Sequence, residues 1–192
     1  HRDIKPENVL VNPATLDVKL FDFGLAAVFD AAGRKRLTTS CGTPWYAAPE
    51  VLSRRACYHG AKVDVWSLGV TTYVLAFGVF PWEGGTDSAM LRNAQRGRWS
   101  VPAGARRPAE LFDLLARTID PNVATRLSIH QVLAHPFLQD STMDAADWHP
   151  ALHNLTEVIE PPAEQRVDAD EHDGTAQHPH TGLPTAAAAA TT

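Results

Sequence analysis

"HRDIKPENVL", residues 1–10, is the stretch from which the fold can be read. Within eight positions it places a histidine, an arginine, an aspartate, a lysine and an asparagine, and an apolar run follows at once. Polar side chains at this density are typical of a loop that carries out chemistry next to an ordered element. The residues around this loop therefore decide which chemistry it serves.

Two short apolar runs lie directly downstream. They are "VLV" at 9–11 and "VKLF" at 18–21, and the segment between them, "NPATLD", is rich in turn-forming residues. This pattern predicts a small β-hairpin. The stretch from Gly24 to Pro44 has no sustained period, and ordered elements follow it, so we predict a long functional loop.

Helical patterns dominate the rest of the first 139 residues. The longest apolar stretch, 63–80, contains four polar residues and lacks basic anchors at both ends. It is therefore predicted to be a buried core helix and not a membrane span. Shorter helices are predicted near 88–97, from Pro108 and from Ser128. We expect most of residues 1–139 to be helical.

The chain changes character near its residue 138. Residues 1–139 carry a net charge of +4, whereas residues 140–192 carry ten acidic residues and one basic residue, a net charge of −9. Large apolar side chains are rare in the second part, so it cannot bury enough surface to offset its ordering entropy. We predict one domain over 1–138 and a disordered acidic tail, rich in Ala, His and Pro, over 139–192.

The composition also bounds the compartment. Two cysteines, Cys41 and Cys57, are too few for a disulfide framework and lack the spacing of a metal site, so both are predicted to be mostly buried thiols. No segment has the order of basic, apolar and small residues that marks a signal peptide. We predict an intracellular protein of the cytoplasm, with the nucleus as an alternative, and no nucleic-acid or membrane partner.

Five motifs occur in a fixed order along the first part of the chain. They are "HRDIKPEN" at 1–8, "DFG" at 22–24, "CGTPWYAAPE" at 41–50, "DVWSLGV" at 64–70 and Arg126 before the last predicted helix. A single match would be weak, but the ordered series is specific. The chain resembles the C-terminal lobe of a eukaryotic serine/threonine protein kinase over about residues 1–138. Within kinases it resembles the calcium/calmodulin-dependent and AMP-activated group most.

The resemblance implies an α+β, protein kinase-like fold with a mainly helical C-terminal lobe and a small β-hairpin. The Gly-rich loop that covers phosphates, the V-A-I-K-type strand lysine and its partner glutamate are not found in the 192 residues. Those parts belong to the N-terminal lobe of a kinase. We therefore expect the chain to be a fragment without the N-terminal lobe, and to be inactive alone.

The resemblance also assigns the chemistry. Phosphoryl transfer requires positioning and charge neutralisation more than covalent catalysis. By resemblance, Asp3 orients the substrate hydroxyl and accepts its proton, and Lys5 lies against the transferred group. Asn8 and Asp22 offer the hard oxygen ligands that Mg²⁺ prefers. ATP and Mg²⁺ are the implied cofactors, held by Lys5, Asn8 and Asp22.

Other motif residues have structural roles in the family. His1 is expected to pack beneath the catalytic loop, and Phe23 to act as an apolar plug. Gly24 is expected to supply backbone freedom at the start of a loop that changes conformation. Asp64 is expected to accept hydrogen bonds from backbone N–H groups of the catalytic loop, since a carboxylate in a buried helix needs partners.

Glu50 and Arg126 carry opposite charges. In kinases the matching residues form a buried ion pair that ties the activation segment to the helical lobe. The pair is therefore expected to support stability and not chemistry.

Regulation is predicted at Thr39. Arg2 directly precedes Asp3, an arrangement that marks kinases whose activation loop is ordered by phosphorylation, because a phosphate gives the arginine a bidentate partner. Thr39, within "RLTTSCGTP", is the expected phosphosite, and an upstream activating kinase is an expected partner. A solvated, threonine-rich loop is the alternative.

Substrate selection is predicted from three residues. Thr43 and the placement of Lys5 two residues after Asp3 resemble serine/threonine specificity. Glu7 is a candidate acidic contact for a basic residue upstream of the target hydroxyl.

The predicted function of the parent protein is ATP-dependent phosphoryl transfer to serine and threonine hydroxyls of protein substrates. The alternative is a non-catalytic pseudokinase or a lobe-only regulatory interaction protein that uses its helical surface and acidic tail. Retention of Asp3, Asn8 and Asp22 favours the enzyme, because a scaffold has no need of them. The oligomeric state is left open.

Overall fold

The computed structural model describes residues 1–29, 36–53, 57–82 and 86–139. The prediction that residues 139–192 are disordered concerns residues outside these ranges. Gln139 is the exception, because it is among the described residues.

The predicted hairpin is confirmed. Strand β1 runs over Val9–Val11 and strand β2 over Val18–Leu20, and the two pair antiparallel. The turn between them is held by Asn12, whose side-chain oxygen accepts a hydrogen bond from the Ala14 N–H at 2.9 Å, as asparagine commonly does in turns. The hairpin joins the opening loop to the "DFG" stretch and so brings the two side by side.

The remaining regular structure of the described residues consists of helices. The α-helices are α1 (Pro49–Leu52), α2 (Gly60–Phe77), α3 (Asp87–Gln95), α4 (Ala109–Thr118), α5 (Ile129–Leu133) and α6 (Pro136–Gln139). Short 3-10 turns cover Pro6–Asn8 and Pro44–Tyr46. Helices α4 and α5 pack on α2, α6 packs on α4, and α3 packs on α1.

Helix α2 forms the centre of the core. Twelve of its 18 residues are buried, and Trp66 and Val70 are completely shielded from solvent. A helix that is apolar on nearly all sides has to be surrounded by other elements, so the predicted core helix is confirmed. It ends at Gly78, whose φ of +70° is the left-handed conformation that favours glycine. Within the described ranges, none of the helices has the length and apolarity needed to cross a membrane.

Three sequence predictions are wrong. Helices cover fewer than half of the described residues, not most of residues 1–139, because much of the first half is irregular backbone held by side-chain hydrogen bonds. The helix predicted from Ser128 is interrupted between α5 and α6, since Pro136 has no N–H to donate and disfavours helical backbone at His135. Cys57 is exposed, not buried.

Candidate active site

The opening loop is anchored to helix α2 by Asp64. Its Oδ2 accepts a hydrogen bond from the backbone nitrogen of His1 at 2.9 Å, and its Oδ1 accepts one from the Arg2 N–H at 2.8 Å. Arg2 has a φ of +73°, which is unfavourable for a residue with a side chain. The bonds to Asp64 offset this cost, and they attach the loop to the most buried helix of the fold.

The carboxylate of Asp3 is the meeting point of three donors. Its Oδ1 accepts a hydrogen bond from the Thr43 N–H at 2.8 Å. Its Oδ2 lies 3.0 Å from Lys5 Nζ and 3.2 Å from Asn8 Nδ2. Burial acts to raise the pKa of Asp3, but the hydrogen bonds from Thr43 and Lys5 outweigh it and lower the pKa below its ordinary value of 3.8. Asp3 is therefore ionised at neutral pH and able to accept a proton.

Lys5 and Gly42 hold the segment before α1 against the opening loop. Lys5 Nζ donates a hydrogen bond to Thr43 Oγ1 at 2.6 Å. Gly42 has a φ of +95°, and a Cβ at this position would lie 2.4 Å from the Arg2 carbonyl oxygen. Only glycine allows both this backbone conformation and this close approach. The contact keeps the Thr43 N–H on the Asp3 carboxylate.

Asn8 and Asp22 are neighbours at the open end of the hairpin. The Asn8 carbonyl oxygen accepts a hydrogen bond from the Phe21 N–H at 3.1 Å, which places Asp22 beside it. The buried side chain of Asn8 donates its amide group to the Asp3 carbonyl oxygen at 2.8 Å. This leaves the amide oxygen of Asn8 for another partner. Asp22 is exposed and has a φ of +58°.

Gly24 lies next to the Asp22 carboxylate. Gly24 does not have a positive φ. Within the "DFG" stretch, Asp22 is the residue with a positive φ. The Gly24 N–H donates a hydrogen bond to Asp22 Oδ1 at 3.3 Å, and a Cβ on Gly24 would lie 3.2 Å from the same oxygen. A side chain at position 24 would therefore press on the Asp22 carboxylate, and the role of Gly24 in a loop that changes conformation stays a prediction.

His1 packs beneath the opening loop. Its ring meets the ring of Phe23 edge-to-face, with centroids 4.9 Å apart. Its Nε2 lies 2.8 Å from the Phe21 carbonyl oxygen, and its Nδ1 accepts a hydrogen bond from the Asp3 N–H at 3.3 Å. Phe23 itself is 61% exposed, so its ring does not fill an apolar site within the part of the chain that the structure describes.

Glu7 carries a carboxylate oxygen without a partner. Its Oε2 is buried and makes no hydrogen bond to any of the described residues. Burial, and then the charges of Glu7 and Asp3, raise the pKa of the Tyr46 hydroxyl, which places this tyrosine near both carboxylates. A shielded acidic oxygen is costly unless it is compensated, so Glu7 is suited to receive a cationic group.

A cavity of about 290 Å³ adjoins Thr43. Its lining includes Gly42 and Pro44, the two neighbours of Thr43 in the chain, together with Val51 of α1 and Met90 of α3. The cavity therefore lies within one residue of the N–H group that binds the Asp3 carboxylate.

Thr39 and Arg2 are linked through Tyr58. Thr39 is exposed, and its carbonyl oxygen accepts a hydrogen bond from the Tyr58 hydroxyl at 2.7 Å. Burial raises the pKa of this hydroxyl and a hydrogen bond with Arg2 partly lowers it. The Arg2 guanidinium also donates to the Leu25 carbonyl oxygen. The predicted phosphosite and the predicted phosphate-binding arginine thus lie on either side of one tyrosine.

Arg126 lies deep in the core and contacts Glu50. Both of its terminal nitrogens donate to the Glu50 carboxylate. Its Nε donates to the Asp120 carbonyl oxygen at 2.8 Å, and its guanidinium carbon lies 5.0 Å from the centre of a Trp66 ring. With a further bond to the Lys62 carbonyl oxygen, four of the five N–H groups of this buried cation have acceptors, and the Trp66 ring adds a cation–π contact.

Sequence reasoning missed Tyr46, Tyr58 and the role of Gly42. Tyr46 lies within the "CGTPWYAAPE" motif but was given no role, and Tyr58 lies outside the five motifs. Their places beside Glu7 and Arg2 follow only from folding. Gly42 did carry a signal, because it is the only glycine in "CGTPWYAAPE" and directly precedes Thr43.

The chain is similar to known protein kinases over the part that contains the five motifs. The family described as protein kinase domain matches residues 1–138. CBL-interacting protein kinase 29 of Oryza sativa subsp. japonica is 46% identical over 143 residues, which is 74% of this chain and 31% of the relative. CBL-interacting serine/threonine-protein kinase 14 of Arabidopsis thaliana is 39% identical over 145 residues, which is 75% of this chain and 32% of the relative.

The chain thus spans about a third of the length of these curated relatives. Both relatives are named as CBL-interacting kinases, and the Arabidopsis thaliana relative is named as a serine/threonine-protein kinase. The match over residues 1–138 shows that the chain belongs to the protein kinase domain family.

Proposed function

We propose that the chain is the C-terminal lobe of a kinase whose parent protein transfers the γ-phosphoryl group of ATP to serine and threonine hydroxyls of protein substrates. The observation that supports this most is the Asp3 carboxylate, on which three donors converge and which they keep ionised. In the transfer, the substrate oxygen forms the new bond to phosphorus, the bond to ADP breaks, and the hydroxyl proton goes to Asp3.

Lys5 is placed to neutralise charge in this step. Its ammonium group lies 3.0 Å from Asp3 Oδ2 and 2.6 Å from Thr43 Oγ1. A phosphoryl group next to Asp3 would therefore be within reach of the same cation. Fixed positive charge near the moving phosphoryl group lowers the barrier, because it needs no rearrangement during the reaction.

Asn8 and Asp22 are the residues that would hold Mg²⁺. The chemistry of the pair fits, since the amide oxygen of Asn8 is left over after its NH₂ group bonds to Asp3, and Asp22 presents an exposed carboxylate. The described residues contain no cluster of three or more His, Cys, Asp or Glu side chains. Mg²⁺ typically takes one or two protein ligands and completes its shell with phosphates and water. When bound, it neutralises the charge of the nucleotide phosphates.

The nucleotide base is proposed to lie over the hairpin end near Phe21. Large apolar side chains are exposed on the hairpin and along the "DFG" stretch, namely Leu10, Val18, Phe21, Phe23, Leu25 and Val28. A patch of this kind marks a surface that another body covers. We propose that the N-terminal lobe of the parent protein and the adenine of ATP cover it. The 192-residue chain alone is then inactive as a kinase.

The peptide substrate is proposed to lie across Thr43. The cavity of about 290 Å³ adjoins this residue and receives a side chain next to the target hydroxyl. The unpartnered oxygen of Glu7 binds a basic residue upstream of the target. A preference for arginine or lysine upstream of the phosphorylated residue follows.

The experiment that tests this function is a hybrid protein. The chain replaces the matching region of CBL-interacting protein kinase 29, which supplies the rest of the molecule, and transfer of labelled phosphate to a serine peptide is measured. We expect activity in the hybrid and a loss of at least about 100-fold with Asp3→Asn. Asp113→Asn, an exposed carboxylate in α4, is the matched control and retains activity.

Binding of a fluorescent ATP analogue separates folding from chemistry in this assay. A hybrid that binds the analogue but transfers no phosphate, or an Asp3→Asn hybrid that transfers it at full speed, would contradict the proposal. The first result would favour a non-catalytic regulatory protein that uses the kinase fold as a binding surface.

A further inference from the structure

Helix α3 and the loop that follows it carry an unusual concentration of arginine. Residues 88–109 contain five arginines and no aspartate or glutamate. Four of these arginines are exposed. We refer to these four as the arginine surface: Arg92, Arg96, Arg98 and Arg106.

Three other arginines of the fold have partners among the described residues. Arg107 donates to the Ala76 carbonyl oxygen at 2.8 Å and lies over the ring of Phe77. Arg117 pairs with Asp113, and Arg126 pairs with Glu50. Among the residues that the structure describes, no hydrogen bond or ion pair involves the guanidinium groups of the arginine surface.

Local geometry brings three of the four together. Arg92 and Arg96 are four residues apart, so their side chains lie on one face across the end of α3. The Arg98 N–H donates to the Asn93 carbonyl oxygen at 3.0 Å, which folds the chain back beside the helix. Like charges held this close repel each other, and an anionic partner removes the cost.

The last part of the chain contains a cluster of acidic residues whose charge is complementary to the arginine surface. Of the ten acidic residues in 140–192, four fall within six positions, in the sequence "DADEHD" at 168–173. The only basic residue of the tail is Arg166. This composition, polar and acidic with few apolar residues, is complementary in charge to a basic folded surface.

The tail can reach the arginine surface. It leaves the described part of the chain after α6, at Gln139, and α6 packs on α4, the helix that follows the arginine surface in the chain. The 28 residues from 140 to 167 allow a span of at most about 95 Å. A domain of 139 residues has a radius of gyration of roughly 14 Å. Tethering at this range gives an effective concentration in the millimolar range, enough for weak ion pairs to persist.

We propose that the acidic segment 164–173 of the chain binds the arginine surface on α3 and its following loop. The bound segment then lies next to the cavity that α3 lines with Ser88, Met90 and Leu91. This interaction does not depend on the proposed kinase activity, since it requires only the folded chain and its tail.

The first test uses a fluorescent peptide with the sequence of residues 164–176 and the full 192-residue chain. In one variant the tail is neutralised by Asp168→Asn, Asp170→Asn, Glu171→Gln and Asp173→Asn. Fluorescence anisotropy should show that the peptide binds this variant at least about tenfold more tightly than the unaltered chain, whose own tail occupies the surface. Raising NaCl from about 50 to about 500 mM should weaken the binding at least fivefold, because the ions screen the pairs.

The second test removes the arginines. In the tail-neutralised variant, Arg92→Gln, Arg96→Gln and Arg98→Gln together should abolish peptide binding. Arg36→Gln removes one exposed charge elsewhere and should leave binding unchanged. Circular dichroism establishes that both variants are folded.

Two results would overturn the proposal. Peptide binding that survives the three arginine substitutions would show that the segment binds elsewhere. The second result concerns phosphatidylserine vesicles. Equally tight vesicle binding to the unaltered chain and to the tail-neutralised variant would show that the tail does not cover the arginines. The arginine surface would then be assigned to lipid.

Discussion

Glu50 and Arg126 are separated by 76 residues in the chain and joined by two hydrogen bonds in the structure, of 2.7 and 3.1 Å. The guanidinium is shielded from solvent and also donates to the Lys62 carbonyl oxygen at 2.9 Å. The pair connects α1, which follows the segment that holds Asp3, to the loop before α5. Removal of the ion pair should therefore lower the free energy of unfolding.

Glu50→Gln is expected to destabilise the chain by about 3 kcal/mol or more, because Arg126 stays buried without a compensating charge. Urea unfolding at neutral pH measures this loss. Arg117→Gln is the matched control, since it breaks the exposed pair with Asp113 and should cost less than about 1 kcal/mol. Equal losses in the two variants would show that the Glu50 pair is no more important than a surface pair.

Gly42→Ala is expected to be more harmful than Gly104→Ala. Both glycines have positive φ, so alanine costs about 1–2 kcal/mol at either site. Only at Gly42 does the new Cβ collide with backbone, at 2.4 Å from the Arg2 carbonyl oxygen, whereas Gly104 faces open space. The difference between the two unfolding free energies isolates the collision, and similar values would argue against the close approach.

The same substitution should alter Asp3. Moving Gly42 away from Arg2 draws the Thr43 N–H off the carboxylate, and that hydrogen bond helps to lower the pKa of Asp3. NMR titration of the Asp3 carboxyl carbon should therefore show a higher pKa in Gly42→Ala than in the unaltered chain. Gly104→Ala should leave it unchanged.

The lowered pKa of Asp3 makes stability depend on acid pH. Because the folded value lies below the ordinary value of 3.8, the unfolded chain binds more protons in this range. The contribution of Asp3 is complete above about pH 5 and is lost as the pH falls through 3.8 towards the folded value. Asp3→Asn should thus be less stable than the unaltered chain at about pH 6, and the gap should narrow by about pH 3. Urea unfolding between about pH 3 and about pH 6 measures the difference in unfolding free energy between the two proteins. A difference that does not change with pH would count against the hydrogen-bonded Asp3 carboxylate.

Phosphothreonine at Thr39 is expected to recruit Arg2. The guanidinium now donates to the Leu25 carbonyl oxygen and lies beside Tyr58, and a phosphate is a stronger, bidentate partner. Phosphorylation should raise the melting temperature by about 2–4 °C, the shift that corresponds to roughly 1 kcal/mol. Arg2→Gln should remove the gain, whereas Thr38→Ala should preserve it. An undiminished gain in Arg2→Gln would mean that another group binds the phosphate.

Local patterns were enough to locate the elements around the site. The two apolar runs and the turn between them predicted β1 and β2, and the apolar stretch after residue 60 predicted helix α2. Both are short-range features, because strand, turn and buried-helix preferences depend on neighbours within a few residues. The break between α5 and α6 also has a local cause in the sequence, Pro136, although the apolar pattern from Ser128 continues across it.

The sequence also identified the chemical types of the site residues. They are an aspartate to accept a proton, a lysine to supply positive charge, and an asparagine and an aspartate to bind a metal ion. Which atoms meet was decided by tertiary structure. The Thr43 N–H reaches Asp3 across 40 residues, and Asp64 reaches Arg2 across 62. Such contacts depend on backbone conformations at Arg2, Asp22 and Gly42 that are stable only when the whole fold surrounds them, because an isolated segment would not hold a positive φ against its intrinsic cost.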